Sequence, residues 1–140
     1  MSVTAEKAYF GRRYALSASH RLHVDALTAE QNRAAYGKCN NPHGHGHNYV
    51  IEVLVGGPVD RETGMVVNLA DLDAVVRSQV VERFDHANLN LDPAFMGRVP
   101  TTENFSKVVF ELLQEALLLG DLDCVRVEET ENNFFEYRGE

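Results

Sequence analysis

Residues 37–48 read Gly-Lys-Cys-Asn-Asn-Pro-His-Gly-His-Gly-His-Asn and run directly into a stretch rich in β-branched residues, which stops at residues 56–58 (Gly-Gly-Pro). The composition of that stretch predicts a β-strand over residues 47–55. In an extended chain, residues i and i+2 point to the same face, so His45 and His47 can bind one metal ion together. Imidazole nitrogens suit zinc, and three of them with one open position are typical of a catalytic zinc site.

The third ligand must come from another part of the chain. His20 ends a predicted strand over residues 8–20 and is our candidate. His43 is also close in sequence, but it follows a proline, where the chain is still expected to be loop, so we predict that it is spare. The predicted metal ligands are therefore His20, His45 and His47. The alternative is a solvated histidine-rich loop that binds metals only adventitiously.

Cys39 precedes the histidines by a few residues. Close to a metal and to the cationic Lys38, a thiol is expected to have a lowered pKa and to form a reactive thiolate. Two alternatives stay open for Cys39: a buried inert thiol and a fourth zinc ligand. Cys124 lies in a predicted strand and is expected to pack in the core.

Three acidic stretches could add chemistry to such a site. Asp85 directly precedes His86, and a carboxylate beside a histidine can orient the ring and raise its basicity, although a histidine at a helix end can simply interact with the helix dipole. Residues 101–104 (Thr-Thr-Glu-Asn) indicate helix capping first. Glu128 and Glu129 end a predicted strand, so only one of them can face a given pocket, where it could accept two hydrogen bonds from an amino-pyrimidine edge.

Two amphipathic helices are predicted from the spacing of apolar residues. The first covers residues 68–84 with Asn68 as its N-cap. The second covers residues 102–119, with Thr101 or Thr102 as its N-cap and Gly120 as its C-terminal signal. A shorter helix over residues 28–36 is possible within the polar stretch 22–44.

Strands over 122–129 and 133–138 complete the pattern, which indicates an α+β fold with helices on one face of an antiparallel sheet. Exposed sheet edges of this kind are often covered by oligomerisation, so we expect a closed ring of subunits.

The chain has 140 residues, which suits a single domain over 1–140. Its net charge of -8 disfavours nucleic acid as a partner. We expect a cytoplasmic protein with free thiols and no membrane partner, because the sequence shows neither a signal peptide nor a span-length apolar run. If the substrate is anionic, nearby cations must overcome the negative electrostatic field of the chain. For each cation, a solvated position on the surface is the more usual role. The cations available are Arg12, Arg13, Arg21, Lys38 and Lys107.

Six short motifs together carry a resemblance to a known family. They are Leu-Ser-Ala-Ser-His-Arg-Leu (16–22), the stretch 37–48 quoted above, Thr-Gly-Met-Val-Val-Asn-Leu-Ala-Asp-Leu (63–72), Asp-His-Ala-Asn-Leu (85–89), Thr-Thr-Glu-Asn (101–104) and Glu-Thr-Glu-Asn-Asn (129–133). In this order, they make the chain similar to the 6-pyruvoyltetrahydropterin synthases of the tunnelling-fold superfamily from about Leu16 to Glu140. Two positions depart from the family pattern: Leu16 replaces an aromatic residue, and His43 replaces a small polar one.

The resemblance implies a function and a set of site residues. It implies Zn²⁺ on the three histidines named above, Cys39 as the proton-transfer residue working with Asp85 and His86, and Glu129 as the pterin anchor. Thr102 and Glu103 would assist in the pterin pocket. The reaction would convert 7,8-dihydroneopterin triphosphate to 6-pyruvoyltetrahydropterin and triphosphate, within tetrahydrobiopterin biosynthesis, with Mg²⁺ accompanying the triphosphate.

The same resemblance implies an architecture. The tunnelling fold has a four-stranded antiparallel sheet with two helices on one face, and its subunits oligomerise into a barrel. The expected assembly is a homohexamer of two stacked trimers with active sites at the subunit interfaces.

Three rival interpretations remain at this point. 6-Carboxytetrahydropterin synthase, of the queuosine pathway, has three residues between its cysteine and its His-Gly-His pair, whereas five intervene here, Asn40 to Gly44. A third relative that cleaves the side chain in an aldolase manner has glutamate in place of the cysteine. From a different class, the chain could be a binding module with a structural zinc, which would normally have four protein ligands.

Overall fold

The computed structural model describes residues 6–117 and 121–140. Its centre is one sheet of five strands in the order β3-β1-β2-β4-β5. The strands are β1 (Ala8–His20), β2 (His45–Gly57), β3 (Ala87–Asn88), β4 (Asp121–Glu128) and β5 (Phe134–Tyr137). The four strands expected from the sequence are therefore present.

The long antiparallel ladder of β1 and β2 fixes the geometry of the sheet. It pairs every residue of β1, from Ala8 opposite Gly57 to His20 opposite His45. β2 also pairs antiparallel with β4, with a bulge at Leu54 and Val55. Because the ladder of β1 and β2 has no bulge, the last residue of β1, His20, lies directly opposite the first residue of β2, His45, at one end of the sheet.

The expectation of a four-stranded, wholly antiparallel sheet is wrong in one respect, because β3 adds a fifth strand parallel to β1. The carboxylate of Asp85 accepts a hydrogen bond from the backbone N–H of Ser17, and the N–H of His86 donates to the Ser17 carbonyl. These bonds hold Ala87 and Asn88 alongside β1. A strand of two residues is too short to show an alternation of apolar side chains, so the sequence pattern does not predict it.

The described residues form four α-helices and a π-helical turn. They are α1 (Ala29–Tyr36), α2 (Leu69–Val76), a π-helical turn (Arg77–Val81), α3 (Glu82–Phe84) and α4 (Thr102–Ala116). All of these except α1 contribute buried side chains to the core on one face of the sheet. Among the remaining turns, a 3₁₀ turn (Gly37–Asn40) follows α1 directly, and two more, Leu89–Leu91 and Pro93–Phe95, follow β3.

The predicted helix over 68–84 is a continuous run of α2, the π-helical turn and α3. Asn68 caps it as expected, accepting a hydrogen bond from the N–H of Asp71 at 3.1 Å. Buried side chains recur every four residues along the run at Leu72, Val76, Val80 and Phe84. The wider π-helical turn keeps residues four apart on one face, so the stripe stays aimed at the core. Leu69, at the start of the helix, is 39% exposed.

α4 carries the second predicted stripe, with Phe105, Val109 and Leu113 fully buried. Its N-cap is Thr101, whose hydroxyl accepts a hydrogen bond from the N–H of Asn104 at 3.2 Å. The helix ends at Ala116, before the predicted end at 119, and the expected terminator Gly120 lies outside the described residues.

Alternate residues of β2 form the sheet's contribution to the core. Tyr49, Ile51, Val53 and Val55 have no exposed surface, and they pack with the helical stripes in one cluster. Cys124 is buried, as expected for a packing residue, but it lies outside this cluster, on the opposite face of the sheet from Val125. In the described part of the chain, no helix is both long and apolar enough to cross a membrane.

Candidate active site

Three histidine rings converge at the end of the sheet where β1 stops and β2 starts. His20 and His45 are register partners on the two strands, and His47 lies two residues further along β2 on the same face. The Nε2 atom of His45 is 3.2 Å from that of His20 and 2.7 Å from that of His47. The three ring planes stand at 82° to 85° to one another. Each ring therefore presents one nitrogen to a common point from a different direction, as ligands of one metal ion do.

The ring of His20 is held in the tautomer that a metal ligand needs. It is 1% exposed, and its Nδ1–H donates to the backbone carbonyl of Pro100 at 2.8 Å. The hydroxyl of Tyr49 lies 3.3 Å from the same Nδ1 atom. With the proton on Nδ1, the lone pair of Nε2 points at the other two rings, which is how hydrogen bonds from surrounding groups orient a metal-bound histidine.

Burial keeps two of these imidazoles neutral. Loss of solvent lowers the pKa of His20 and the pKa of His47 below the ordinary histidine value, and the neighbouring rings add to the effect. A neutral imidazole is the form that binds a metal. The donor set, the shared point of convergence and the neutral state therefore fit a divalent metal with imidazole preference, such as zinc.

Gly44 lets the chain approach this end of the sheet closely. Its φ of +72° lies in the left-handed region, and a Cβ at this position would lie 2.9 Å from the carbonyl oxygen of His20. A side chain here would push β2 away from β1 at the point where the histidines meet.

Glu129 directly follows the last residue of β4, and its carboxylate faces the histidines. One of its oxygens, Oε1, is 3.3 Å from the Nε2 atom of His47 and 3.8 Å from that of His20. The other, Oε2, accepts a hydrogen bond from the side-chain amide of Asn133 at 3.0 Å. Glu128 instead lies 3.7 Å from Arg126. Of the two adjacent glutamates, the one that the family resemblance selects is also the one aimed at the site.

Cys39 lies in the 3₁₀ turn after α1, in the wall of a cavity of about 720 Å³ that also reaches His45 and His47. Among the described residues, the group that could hold a metal contains only the three histidines, so Cys39 shares their cavity without joining them as a ligand. Its backbone carbonyl accepts a hydrogen bond from the N–H of Leu22 at 2.7 Å, which ties the turn to the chain beyond β1.

Of the two causes expected to lower the pKa of Cys39, a metal and Lys38, the second is not found. Burial raises the pKa of the Cys39 thiol, and the negative charge of Glu129 raises it further. Lys38 is not among the causes, because it is exposed, and water screens its charge. The chain therefore holds Cys39 as a protonated thiol at neutral pH.

Asp85 and His86 form a preassembled pair, but on a different cavity. Asp85 is held by the N–H of Ser17 at 2.8 Å, a bond that lowers its pKa, and its Oδ2 atom is 3.1 Å from Nδ1 of His86. His86 adopts a left-handed φ of 60°, and its side chain is 83% exposed. It lines a cavity of about 310 Å³ that reaches His47 but not Cys39. Within one chain, the cysteine and the Asp85–His86 pair thus approach His47 from separate openings.

Two predicted substrate-binding residues, Thr102 and Glu103, do not line the cavity of Cys39. Thr102 is buried, and its hydroxyl has no hydrogen-bond partner among the described residues. Glu103 is exposed beside β5 and lines a further cavity of about 230 Å³ together with Tyr137. The structure does not bring either residue to the cavity of Cys39 within one subunit.

His43 does not compete for the metal position. It lines a small cavity of about 170 Å³ beside Asn88 and lies outside the three-histidine group. Sequence reasoning missed Tyr49 and Asn133, which support the site residues. Tyr49 could have been found, because it continues the alternation of His45 and His47 along β2.

Comparison with known proteins gives a consistent result. The model of the family described as 6-pyruvoyl tetrahydropterin synthase matches residues 10–140. The 6-pyruvoyl tetrahydrobiopterin synthase of Homo sapiens is 47% identical over 96% of this chain and 93% of its own length, and that of Dictyostelium discoideum is 45% identical over 92% and 94%. The solved structure of Caenorhabditis elegans 6-pyruvoyl tetrahydropterin synthase superposes with a TM-score of 0.90 at 38% identity, covering 99% of this chain and 100% of that one.

Proposed function

Since the chain belongs to the 6-pyruvoyl tetrahydropterin synthase family, we propose that it converts 7,8-dihydroneopterin triphosphate to 6-pyruvoyltetrahydropterin with release of triphosphate. The observation that carries the proposal is the convergence of His20, His45 and His47 on one point, with the thiol of Cys39 in the wall of the same cavity. An open metal position beside an unligated acid–base group is what an enzyme needs and what a structural zinc site lacks.

We assign the metal as Zn²⁺, held by the Nε2 atoms of the three histidines. When bound, zinc supplies a Lewis acid that acidifies the hydroxyl and adjacent C–H groups of the substrate side chain. The chain's contribution is to keep the imidazoles neutral and oriented, through burial and through the bond from His20 to Pro100.

Cys39 takes and returns protons on the substrate side chain. In the elimination, the C–O bond to the triphosphate breaks, the triphosphate leaves with the electron pair, and a proton leaves the neighbouring carbon. The side chain is then oxidised to the diketone while the dihydropterin ring is reduced to the tetrahydropterin, so no external redox cofactor is needed. At neutral pH the raised pKa makes Cys39 a proton donor, and bound zinc would favour the thiolate, which is the form that takes a proton from the substrate.

Glu129 anchors the pterin in this proposal. Its Oε2 atom is already held by Asn133, so the carboxylate is oriented before any ligand binds. A carboxylate can accept two parallel hydrogen bonds from the amino-pyrimidine edge of a pterin, which places the side chain of the substrate over the histidines. Glu103 is assigned to the same pocket across a subunit boundary, because within one chain it lines a different cavity. Thr102 is buried beside Tyr49, so its contribution to the pocket is to support the residues behind the histidines.

A homohexamer of two stacked trimers accounts for the separate openings. His86 is largely exposed and oriented by Asp85, yet it does not share a cavity with the Cys39 of its own chain. A neighbouring subunit whose sheet edge covers β3 or β5 would bring a second set of these residues to the site, and closed symmetric assemblies cover such edges.

The reaction is tested by incubating the zinc-loaded protein with 7,8-dihydroneopterin triphosphate and identifying the products by mass spectrometry. We expect a tetrahydropterin with a three-carbon diketo side chain and one free triphosphate per turnover. A carboxyl product would show a 6-carboxytetrahydropterin synthase instead. Release of neither product, by a protein that contains zinc, would favour a binding module.

A further inference from the structure

Most lysines and arginines of this acidic chain are neutralised by a neighbouring carboxylate. The ones within 4.0 Å of an Asp or Glu oxygen are Lys7, Arg12, Arg13, Arg83, Arg98, Arg126 and Arg138. With a net charge of -8, the chain has acidic groups available on most of its surface. A cluster of cations that lack such partners is therefore a candidate binding site for an anionic ligand.

Three cations without an acidic partner among the described residues, Arg21, Arg33 and Lys38, line the cavity of Cys39. The described lining of this cavity contains no Asp or Glu. His23 also lines it and lies 3.4 Å from Asp25, which is fully exposed at the rim. The wall of the cavity on the α1 side is thus positive, although the molecule as a whole is negative.

This wall is held in place by hydrogen bonds rather than by a sheet. The helix that carries Arg33, α1, begins with a capping box in which Thr28 and Gln31 bond to each other's backbone N–H groups at 2.9 Å and 3.1 Å. The buried amide of Asn32 bonds to the backbone N–H of Val24, at 2.8 Å, and to three carbonyls. These bonds fix the direction in which α1 presents its side chains to the cavity.

The backbone of Arg21 is clamped in the same manner. The side-chain amide of Asn90 accepts a hydrogen bond from the N–H of Arg21 at 2.7 Å and donates to its carbonyl at 2.8 Å. Among residues 6–117 and 121–140, the side chain of Arg21 makes one hydrogen bond, a long one of 3.4 Å to the carbonyl of Asn40. Its guanidinium therefore keeps most of its donors for a ligand.

We propose that Arg21, Arg33 and Lys38 form a polyphosphate subsite in the cavity of Cys39, with Arg33 on α1 as its outer anchor. The inference rests on the proposed function, which supplies a substrate with a triphosphate tail. Two planar guanidinium groups and one ammonium group match a chain of phosphates better than a single carboxylate. Their position in the cavity of Cys39 and His45 would place the leaving group beside the groups proposed to act on the substrate side chain.

The test is a calorimetric titration of the zinc-loaded protein with inorganic triphosphate, with zinc content measured before and after because the anion can chelate the metal. We expect Arg33→Ala to weaken binding about tenfold and Arg33→Glu to weaken it further, since each charge-assisted bond to a phosphate contributes roughly this much. The matched control is Arg61→Ala, which removes an exposed arginine that lies outside the cavity. The proposal is wrong if Arg33→Ala and Arg61→Ala both bind triphosphate as the unchanged protein does.

A kinetic measurement separates this subsite from the reaction itself. With 7,8-dihydroneopterin triphosphate, Arg33→Ala should raise KM about tenfold and change kcat much less, because Arg33 is proposed to bind the outer phosphates, away from the C–O bond that breaks. Binding of 7,8-dihydroneopterin, which lacks the phosphates, should not change. If the protein binds inorganic triphosphate through Arg33 but converts no pterin, the proposed function fails and the subsite stands. If it converts the pterin and the KM of Arg33→Ala is unchanged, the subsite fails alone.

Discussion

The two sides of the cavity are built in different ways. The histidine side is part of the sheet, where the ladder of β1 and β2 sets His20 opposite His45. The cationic side belongs to the segment 21–40, where side-chain amides, above all that of Asn32, replace the ladder. The metal geometry is thus a property of the fold, whereas the charge of the opposite wall can change residue by residue without moving the metal ligands.

His20→Ala should give the largest effect, because it removes a ligand that is buried and whose position the sheet fixes. We expect zinc content to fall from about one ion per chain to near zero and turnover to be lost with it. Metal analysis after gel filtration and the mass-spectrometric assay measure the two quantities. The matched control is His43→Ala, which should keep both, because His43 lies outside the three-histidine group. Loss of zinc in His43→Ala would show that the ligand set is different.

Cys39→Ala tests the wall that faces the histidines. The thiol is proposed to move protons and not to bind the metal, so zinc content and the unfolding midpoint should be retained while kcat falls by about 10²- to 10⁴-fold. Cys124→Ala is the control for general loss of a thiol, since Cys124 is buried and does not line the cavity of Cys39. If zinc is lost together with turnover in Cys39→Ala, the cysteine is a fourth ligand and the site is structural.

The sequence predicts the sheet side of this comparison better than the loop side. The alternation of His45, His47 and the β-branched run gives both the strand and the shared face, because the period of a strand fixes where side chains point. The short strand β3 and the role of Arg33 do not follow from any such period. They depend on hydrogen bonds between residues far apart in the chain, such as that of Asp85 with Ser17, for which a single sequence carries no signal.

The same difference separates the site residues that the sequence predicts from those that it does not. The pairing of His20 with the histidines of β2 could be expected once both strands were predicted. The sequence could not show that the pKa of Cys39 is raised rather than lowered, because the cause is burial together with the charge of Glu129 from another strand. It also could not show that His86 and Cys39 line different cavities, since this depends on how the chain turns after α3.

Asn32→Ala should destabilise the segment 21–40, which carries the cations, without disturbing the ladder of β1 and β2, which carries the histidines. The amide is buried and makes four hydrogen bonds to the backbone of its own segment, so its removal should lower the free energy of unfolding by about 1–3 kcal/mol. We also expect KM for the triphosphate substrate to rise, because α1 carries Arg33. Denaturant unfolding and steady-state kinetics measure both. Zinc content should stay the same; the matched control Asn132→Ala, on an exposed loop, should change none of the three.

The smallest expected effect concerns an ion pair remote from both walls. Arg83 of α3 forms a two-bond pair with Asp92, at 2.7 Å and 3.0 Å, and this hydrogen bonding lowers the pKa of Asp92 below its ordinary value. A carboxyl group whose pKa is lowered by folding stabilises the native state above its unfolded pKa, about 3.9, and this stabilisation is lost as the pH falls through the lowered folded value. Asp92→Asn keeps the oxygen that caps Ala94 but loses the charge.

We therefore expect Asp92→Asn to be less stable than the unchanged protein by about 0.5–1 kcal/mol between pH 5 and pH 7, because Arg83 is a third exposed and its charge is partly screened. The difference should begin to shrink below about pH 4, where Asp92 takes up a proton in the unfolded chain, and should disappear once the pH is below the lowered pKa of the folded protein. Urea unfolding of both proteins after removal of metal by a chelator measures the difference at each pH without a contribution from the histidines. A difference that is the same at pH 3.5 and at pH 7 would mean that the charge of Asp92 contributes nothing and that only the shape of its side chain matters.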